Sequence, residues 1–403
     1  MTQRNIQNLL LLAFRVAFAF APVMAIGFFF YRISPEPATA ASNARPISRR
    51  AEFWKTQADV SCIGKDSVAL SSSLLKKNKN DVAALVCRAR AYMDQQNLKL
   101  ALSDYSRAIS FQSRVIELRV ERAYAYITHN NLKGALADLD AVIRLQPSAD
   151  AFAERGSIHA ELKDYAQSLT DLDDAIRLDP DRPDFYIARA GVNLLFDELV
   201  YAEEDFDLAL RLSPDDAEAY KGRGEARIRQ DNVALAVLDF ERAVALDPAD
   251  AEAHYGMALA RYRADDYKRA ADAVETSLRL DPKNVNAMLL QANLHLIDER
   301  YDIARNITEL AIGLSPKKPD AYSLRAKIKL DNRDFASAMS DANYALKLDK
   351  TFADAYCIRA SVFVETSRNA NARKDFQRCL ALAKNYETRE WASFELNVLG
   401  FTN

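Results

Sequence analysis

The stretch Glu154–Pro180, ERGSIHAELKDYAQSLTDLDDAIRLDP, decides how this chain folds. It holds the end of one segment and the whole of a second, each of about 14 residues with helical apolar periodicity. The polar pair Lys163-Asp164 separates them, and Pro180 stops the second. A proline removes a backbone donor and disfavours helix in the residue before it, so it closes the unit. The closing motif AIRLDP returns as ALRLSP at 209–214, AVALDP at 243–248 and SLRLDP at 277–282. Six prolines carry the period at nearly constant spacing: Pro147, Pro180, Pro214, Pro248, Pro282 and Pro316.

Small residues keep the same frame through nine units. The first series is Ala89, Ala123, Gly156, Ala190, Gly224, Ala258, Ala292, Ala326 and Ala360. A second series starts twelve residues later, at Ala101, and a third seven further on, at Ala108. In three units Ser113, Lys350 and Lys384 replace the closing proline. Small residues at a helix crossing let two backbones approach. One such hairpin cannot bury its own apolar face, so its neighbours must stack on it. Only 10 Gly and 12 Pro in 403 residues argue against a strand-and-turn architecture.

This pattern resembles the tetratricopeptide repeat family. The fifth unit shows the motif as Tyr220, Gly224, Ala236, Phe240, Ala243 and Pro248. The resemblance implies an all-α, right-handed superhelical solenoid of about nine helix-turn-helix repeats over 82–386. Residues 51–81 read as a degenerate helical repeat, with Trp54 as a candidate anchor. Residues 387–403, with Trp391, Phe394, Leu396 and Leu399, read as a capping helix.

An arginine precedes the first small residue in seven units: Arg88, Arg122, Arg155, Arg189, Arg223, Arg325 and Arg359. An aspartate follows each by sixteen: Asp104, Asp138, Asp171, Asp205, Asp239, Asp341 and Asp375. The sixth and seventh units lack both, with Met257 and Ala273, then Gln291 and Ile307. Joint presence and joint loss are what a charge pair produces, because stranding one buried member costs several kcal/mol. A pair repeated seven times is architecture, not a catalytic site. Whether it closes within a repeat or between neighbours is open at this level.

No reactive centre stands out. The histidines His129, His159, His254 and His295 lack partners at metal-ligand spacing. There is no glycine-rich phosphate loop and no nucleophile elbow. No enzyme activity, cofactor, metal or small-molecule substrate is implied. Outside the first 50 residues the chain has 48 basic and 56 acidic residues, a poor match for nucleic acid. Cys357 and Cys379 lie at about the same level of the ninth hairpin. They can form a disulfide, or Cys379 can simply stand for the core alanine. Asn306-Ile307-Thr308 is a glycosylation sequon inside an expected helix, and is discounted.

Residues 1–50 carry six arginines and one acid, around the apolar run 9–31, LLLLAFRVAFAFAPVMAIGFFFY. That run is long enough to span a bilayer. It reads as a single-pass anchor with the repeat body exported to the periplasmic side, or as a signal segment cut near Ala40. The resemblance implies a concave groove lined by first helices that holds a peptide or protein partner. A Lys/Asn clamp for acidic chaperone tails is absent, since Val86, Arg90, Val120 and Tyr124 occupy its positions. Where the charge pairs vanish, Tyr255, Leu259, Tyr262, Leu289, Asn293 and Leu296 are expected to face the groove, and they suit peptide binding. The same residues can also simply repack the gap. The expected role is a non-catalytic interaction scaffold of the cell envelope. The alternative is an accessory subunit of a membrane-associated enzyme or export machine.

Overall fold

Each sequence period becomes a pair of antiparallel helices in the computed structural model, which describes residues 67–383 and 386–400. The apolar run 9–31, Ala40 and Trp54 lie outside the described residues. All twenty described helices are α-helical, and no strand occurs among the described residues. They divide between two compact units, 67–248 and 249–400 in their described parts.

The first unit opens with α1 (Ser67–Lys77), then α2 (Val82–Asp94) with α3 (Leu98–Phe111), and α4 (Ile116–Thr128) with α5 (Leu132–Leu145). It continues with α6 (Ala149–Glu161) and α7 (Tyr165–Leu178), α8 (Pro183–Leu195) and α9 (Leu199–Leu212), α10 (Ala217–Arg229) and α11 (Val233–Leu246). The second unit holds α12 (Ala251–Arg263) and α13 (Tyr267–Leu280), α14 (Val285–Ile297) and α15 (Tyr301–Leu314). Then come α16 (Pro319–Asp331) and α17 (Phe335–Leu348), α18 (Ala353–Glu365) and α19 (Asn369–Leu382), and finally α20 (Tyr386–Val398). Within each unit a helix packs on its hairpin partner and on the first helix of the next repeat. First helices of successive repeats also touch, as α8 with α10 and α16 with α18 do, and so form a continuous layer.

All nine hairpins turn the same way. Three residues link the helices, and the middle one has positive φ: Gln96, Asn130, Lys163, Asp197, Asp231, Asp265, Glu299, Arg333 and Ser367, at 55–66°. Its N–H bonds back three residues and the next N–H bonds back five, as in Lys163 to Ala160 and Asp164 to His159. That double bond closes the first helix. In four hairpins the side chain of the third residue, Asn131, Asp164, Asp266 or Asp334, also caps the second helix, as when Asp164 accepts from the Gln167 amide.

The small-residue frame is the contact surface. Ala89, Ala101, Ala108, Ala190, Ala202, Ala209, Ala292, Ala304 and Ala311 are all fully buried. Gly222 shows how tight the fit is, because a Cβ there would lie 2.2 Å from Cζ of Phe206. Before the first full repeat, one frame position keeps a small residue, while the next holds Leu74, which is exposed. Ser67 stands one full repeat before Ala101 and is buried, and α1 occupies the place of a second helix against α2.

At the other end α20 covers the last hairpin. Trp391 meets Phe376 edge-on at 5.7 Å, and Leu396 is buried, whereas Phe394 is exposed on the outer side. Cys357 of α18 and Cys379 of α19 are joined as a disulfide with Cα atoms 5.4 Å apart. The sequon fails sterically as well: Thr308 is fully buried in α15 and its hydroxyl donates to the Ala304 carbonyl.

Candidate peptide-binding face

The seven arginine–aspartate pairs close within a repeat. In each, Nε and Nη2 donate to the two carboxylate oxygens, as Arg122 does to Asp138 at 2.7 and 2.7 Å. Arg325 holds Asp341 at 2.8 and 2.8 Å. The aspartates are 1–8% exposed. In all but Arg325 the third nitrogen, Nη1, reaches back beyond its own hairpin: Arg155 to Asp140 at 2.8 Å, Arg189 to Asp173 at 2.6 Å, Arg359 to Asn343 at 2.8 Å. Arg88 uses Nη1 for Ser72 of α1, and Arg122 for Ser106. An aromatic ring lies under many of these guanidiniums, as Tyr220 does 5.4 Å from Arg223. The hydrogen bond that Arg155 donates to Asp171 holds the arginine pKa above its ordinary value, so the guanidinium stays charged. These groups satisfy one another and offer nothing to a substrate.

Repeats six and seven are built differently. Without the strut, Ala273 and Ile307 join an apolar cluster that runs from Tyr255 to Ile328 and takes in Met257. Tyr255, Tyr262, Leu289, Asn293 and Leu296 are buried, and Leu259 is half-buried. Burial pushes the Tyr262 phenol pKa well up, so it is neutral near pH 7. Tyr255, Leu259 and Tyr262 are residues five, nine and twelve of α12, and Leu289, Asn293 and Leu296 are the same residues of α14. On the first helices these positions share one face, three to four residues apart.

Three polar atoms here have no hydrogen-bond partner: Asn293 Nδ2 and Asn286 Oδ1 on α14, and Ser323 Oγ on α16. Leaving a buried polar group unpaired costs about 1–3 kcal/mol, so these three atoms are points of local instability in the packed interior. Asn286 and Ser323 were missed in the sequence. Ser323 stands one full repeat after Leu289, so the repeat register itself would have pointed to it.

The other candidates dissolve. Arg90 is tied to Glu121 of the next repeat. His129 caps α4 and is exposed, His254 is buried, and burial lowers the His295 pKa. His159 lies 3.9 Å from both Asp164 and Asp171. Among the described residues no group of histidines, cysteines and acids could hold a metal, and no described helix is long and apolar enough to cross a membrane. A recess of about 370 Å³ beside Pro147 and Leu178 is framed by Asp150, Asp179 and Arg182, whose guanidinium bonds Asp184 and Asp150.

Comparison with known proteins agrees with the hairpin frame. A family profile described as tetratricopeptide repeat matches residues 120–193, 201–251 and 255–319, and a second with the same description matches 353–386, together more than half of the chain. A solved tetratricopeptide repeat protein from Parabacteroides merdae is 19% identical with a TM-score of 0.52, over 62% of this chain and 98% of that one. The APC/C hetero-tetramer Cut9-Hcn1 is similar at 11% identity and TM-score 0.53, over 93% and 92%. The human IFIT1 dimer with m7Gppp-AAAA is similar at 15% identity and TM-score 0.54, over 86% and 87%. At these identities the likeness concerns the fold alone. No curated protein sequence matches the chain.

Proposed function

We propose, since the chain belongs to the tetratricopeptide repeat family, that it is a non-catalytic scaffold that binds protein or peptide segments along its first-helix face. The cell envelope is its proposed setting, with residues 9–31 as the membrane tether and the repeat body exported. Cleavage near Ala40 would give the same body in free form. The accessory-subunit reading differs only in having a stoichiometric membrane partner.

One observation carries the binding reading. The strut-free repeats place a buried amide without an acceptor, Asn293, among aromatic and aliphatic side chains. A scaffold binds through a preformed surface with a few directed polar groups, and the first-helix layer around half-buried Leu259 is where we infer it. It also offers no converging acids, histidines or nucleophiles for chemistry.

The test is a peptide array probed with the full chain and with Asn293→Leu and Leu259→Asp. Weaker capture by both variants, at unchanged melting temperature, supports the face. Equal capture by all three chains removes it. Tyr255→Ala is a poor probe, because truncating a buried aromatic side chain costs about 3–5 kcal/mol of stability.

A further inference from the structure

We propose that the exposed side of α9 and α11, in repeats four and five, is a second docking surface, and that its occupant is a basic amphipathic helix of a partner protein. This surface is separate from the first-helix face and does not depend on it.

The other repeats supply the comparison. The third and sixth residues of the second helix are Gln167 and Thr170 in repeat three, Arg269 and Asp272 in repeat six, and Ser337 and Ser340 in repeat eight. In repeat four the third is Tyr201, and in repeat five the third and sixth are Leu235 and Leu238. Val200, Tyr201 and Leu238 are each 59–60% exposed. Leu235 is exposed too, as is Phe196 in the turn before α9. The core side of α11 is Ala236, Phe240 and Ala243, so its apolar residues fall on two sides. A helix that is apolar all round is normally buried all round. Single exposed side chains such as Leu100 or Ile303 need no partner. Here five lie together.

The two helices begin beside each other. Gln230, three residues before α11, donates to the Leu199 carbonyl at 3.2 Å and to the Glu203 carboxylate at 2.8 Å, both in the first turns of α9. Five side chains of this size, exposed to this degree, leave on the order of 500 Å² of largely apolar surface, which is at the upper end for an ordinary monomer.

Area and charge choose the occupant. A stable dimer buries about 800 Å² per partner, more than this patch supplies. A single amphipathic helix laid over two neighbouring helices needs less. Glu198 and Glu204 flank the patch and are exposed, and neither carboxylate has a cationic partner among the described residues. The arginines at that end of α10 are already bound, Arg227 to Glu203 and Asp239, and Arg229 to Asp197. Two copies facing each other through this patch would bring like charges together, and an anionic lipid surface would meet the same acids. A basic helix answers both features. Its leucines cover Tyr201, Leu235 and Leu238, and its cations reach Glu198 and Glu204.

The experiment uses the full chain and two fluorescein-labelled helical peptides of about 14 residues. Both have leucine at i, i+3, i+4 and i+7, with lysine elsewhere in one and glutamate in the other. Fluorescence anisotropy should show binding of the lysine peptide and none of the glutamate peptide. Leu235→Ser with Leu238→Ser should weaken the lysine peptide roughly 10-fold or more at unchanged melting temperature. Tyr201→Ser is the second variant, should the first fail to fold. Glu198→Lys with Glu204→Lys should weaken the lysine peptide and admit the glutamate one. Leu310→Ser on α15, an exposed leucine outside the patch, should change nothing. Binding of neither peptide, or equal binding of both, overturns the proposal. So does undiminished binding by the folded Leu235, Leu238 or Tyr201 variants. A dimer in sedimentation that these substitutions dissolve would also overturn it, because the patch would then belong to a second copy.

Discussion

Arg155 grips both oxygens of Asp171, Nε to Oδ2 at 2.9 Å and Nη2 to Oδ1 at 2.6 Å, while its Nη1 crosses to Asp140 of the preceding repeat at 2.8 Å. One guanidinium thus closes a hairpin and fastens it to its neighbour. The planar fork suits this, since its five donors point in fixed directions that a lysine could not reproduce.

The two halves of that grip should differ in weight. Arg155→Ala and Asp171→Ala should each lower stability by about 3 kcal/mol, because the survivor is left poorly paired. The double mutant should lose less than the sum, as measured by urea unfolding. Asp140 is 42% exposed, so Asp140→Ala should cost less than about 1 kcal/mol. Additive losses for Arg155 and Asp171 would show that the pair is not coupled.

Gly222 is a contact glycine. Its helical backbone needs no glycine, but the Phe206 ring occupies the space of a Cβ. Gly222→Ala should destabilise the first unit by about 1–3 kcal/mol despite the better helix propensity of alanine. Gly191 is the control, since a Cβ there meets nothing within 4 Å. Gly191→Ala should be neutral or stabilising. A melting-temperature comparison of the two decides it.

The hairpin turns hold strain that can be relieved. Lys163 sits at φ 63°, a conformation that costs a residue with a Cβ about 1–2 kcal/mol. Glycine recovers most of this and gives back about 0.5–1 kcal/mol in unfolded-state entropy. Lys163→Gly should therefore raise the melting temperature slightly, and Lys163→Val should lower it. The reverse order would mean that the turn is not left-handed.

The Cys357–Cys379 bond closes a loop with a sequence separation of 22 in the last full hairpin. Loops of this size contribute about 3 kcal/mol by restricting the unfolded chain. Reduction should expose α18 and α19 to hydrogen exchange before α12 and α13. Cys379→Ala with Cys357→Ser should do the same without reductant. Unchanged protection in both cases would deny the bond a structural role.

Much of the fold was legible because each repeat is written locally. Helical periodicity, a three-residue turn and small residues at Ala101 or Ala202 act within the window of a single repeat. The joint loss of arginine and aspartate at Met257/Ala273 and Gln291/Ile307 was legible for the same reason: both members belong to one hairpin. The proposed binding face was legible only as a list of positions. Tyr255 and Tyr262 have the chemistry of contact residues, yet both are buried, and periodicity on one helix does not report how closely the next first helix approaches.

By itself the sequence determined the repeat, its hairpin and its internal charge pair, all set by spacings along the chain. Only the tertiary structure decided where the third arginine nitrogen goes, which of Tyr255, Leu259 and Asn293 remain reachable, and that Asn293, Asn286 and Ser323 lack partners. Those outcomes depend on how neighbouring helices cross, which is fixed by packing between repeats rather than by order within one.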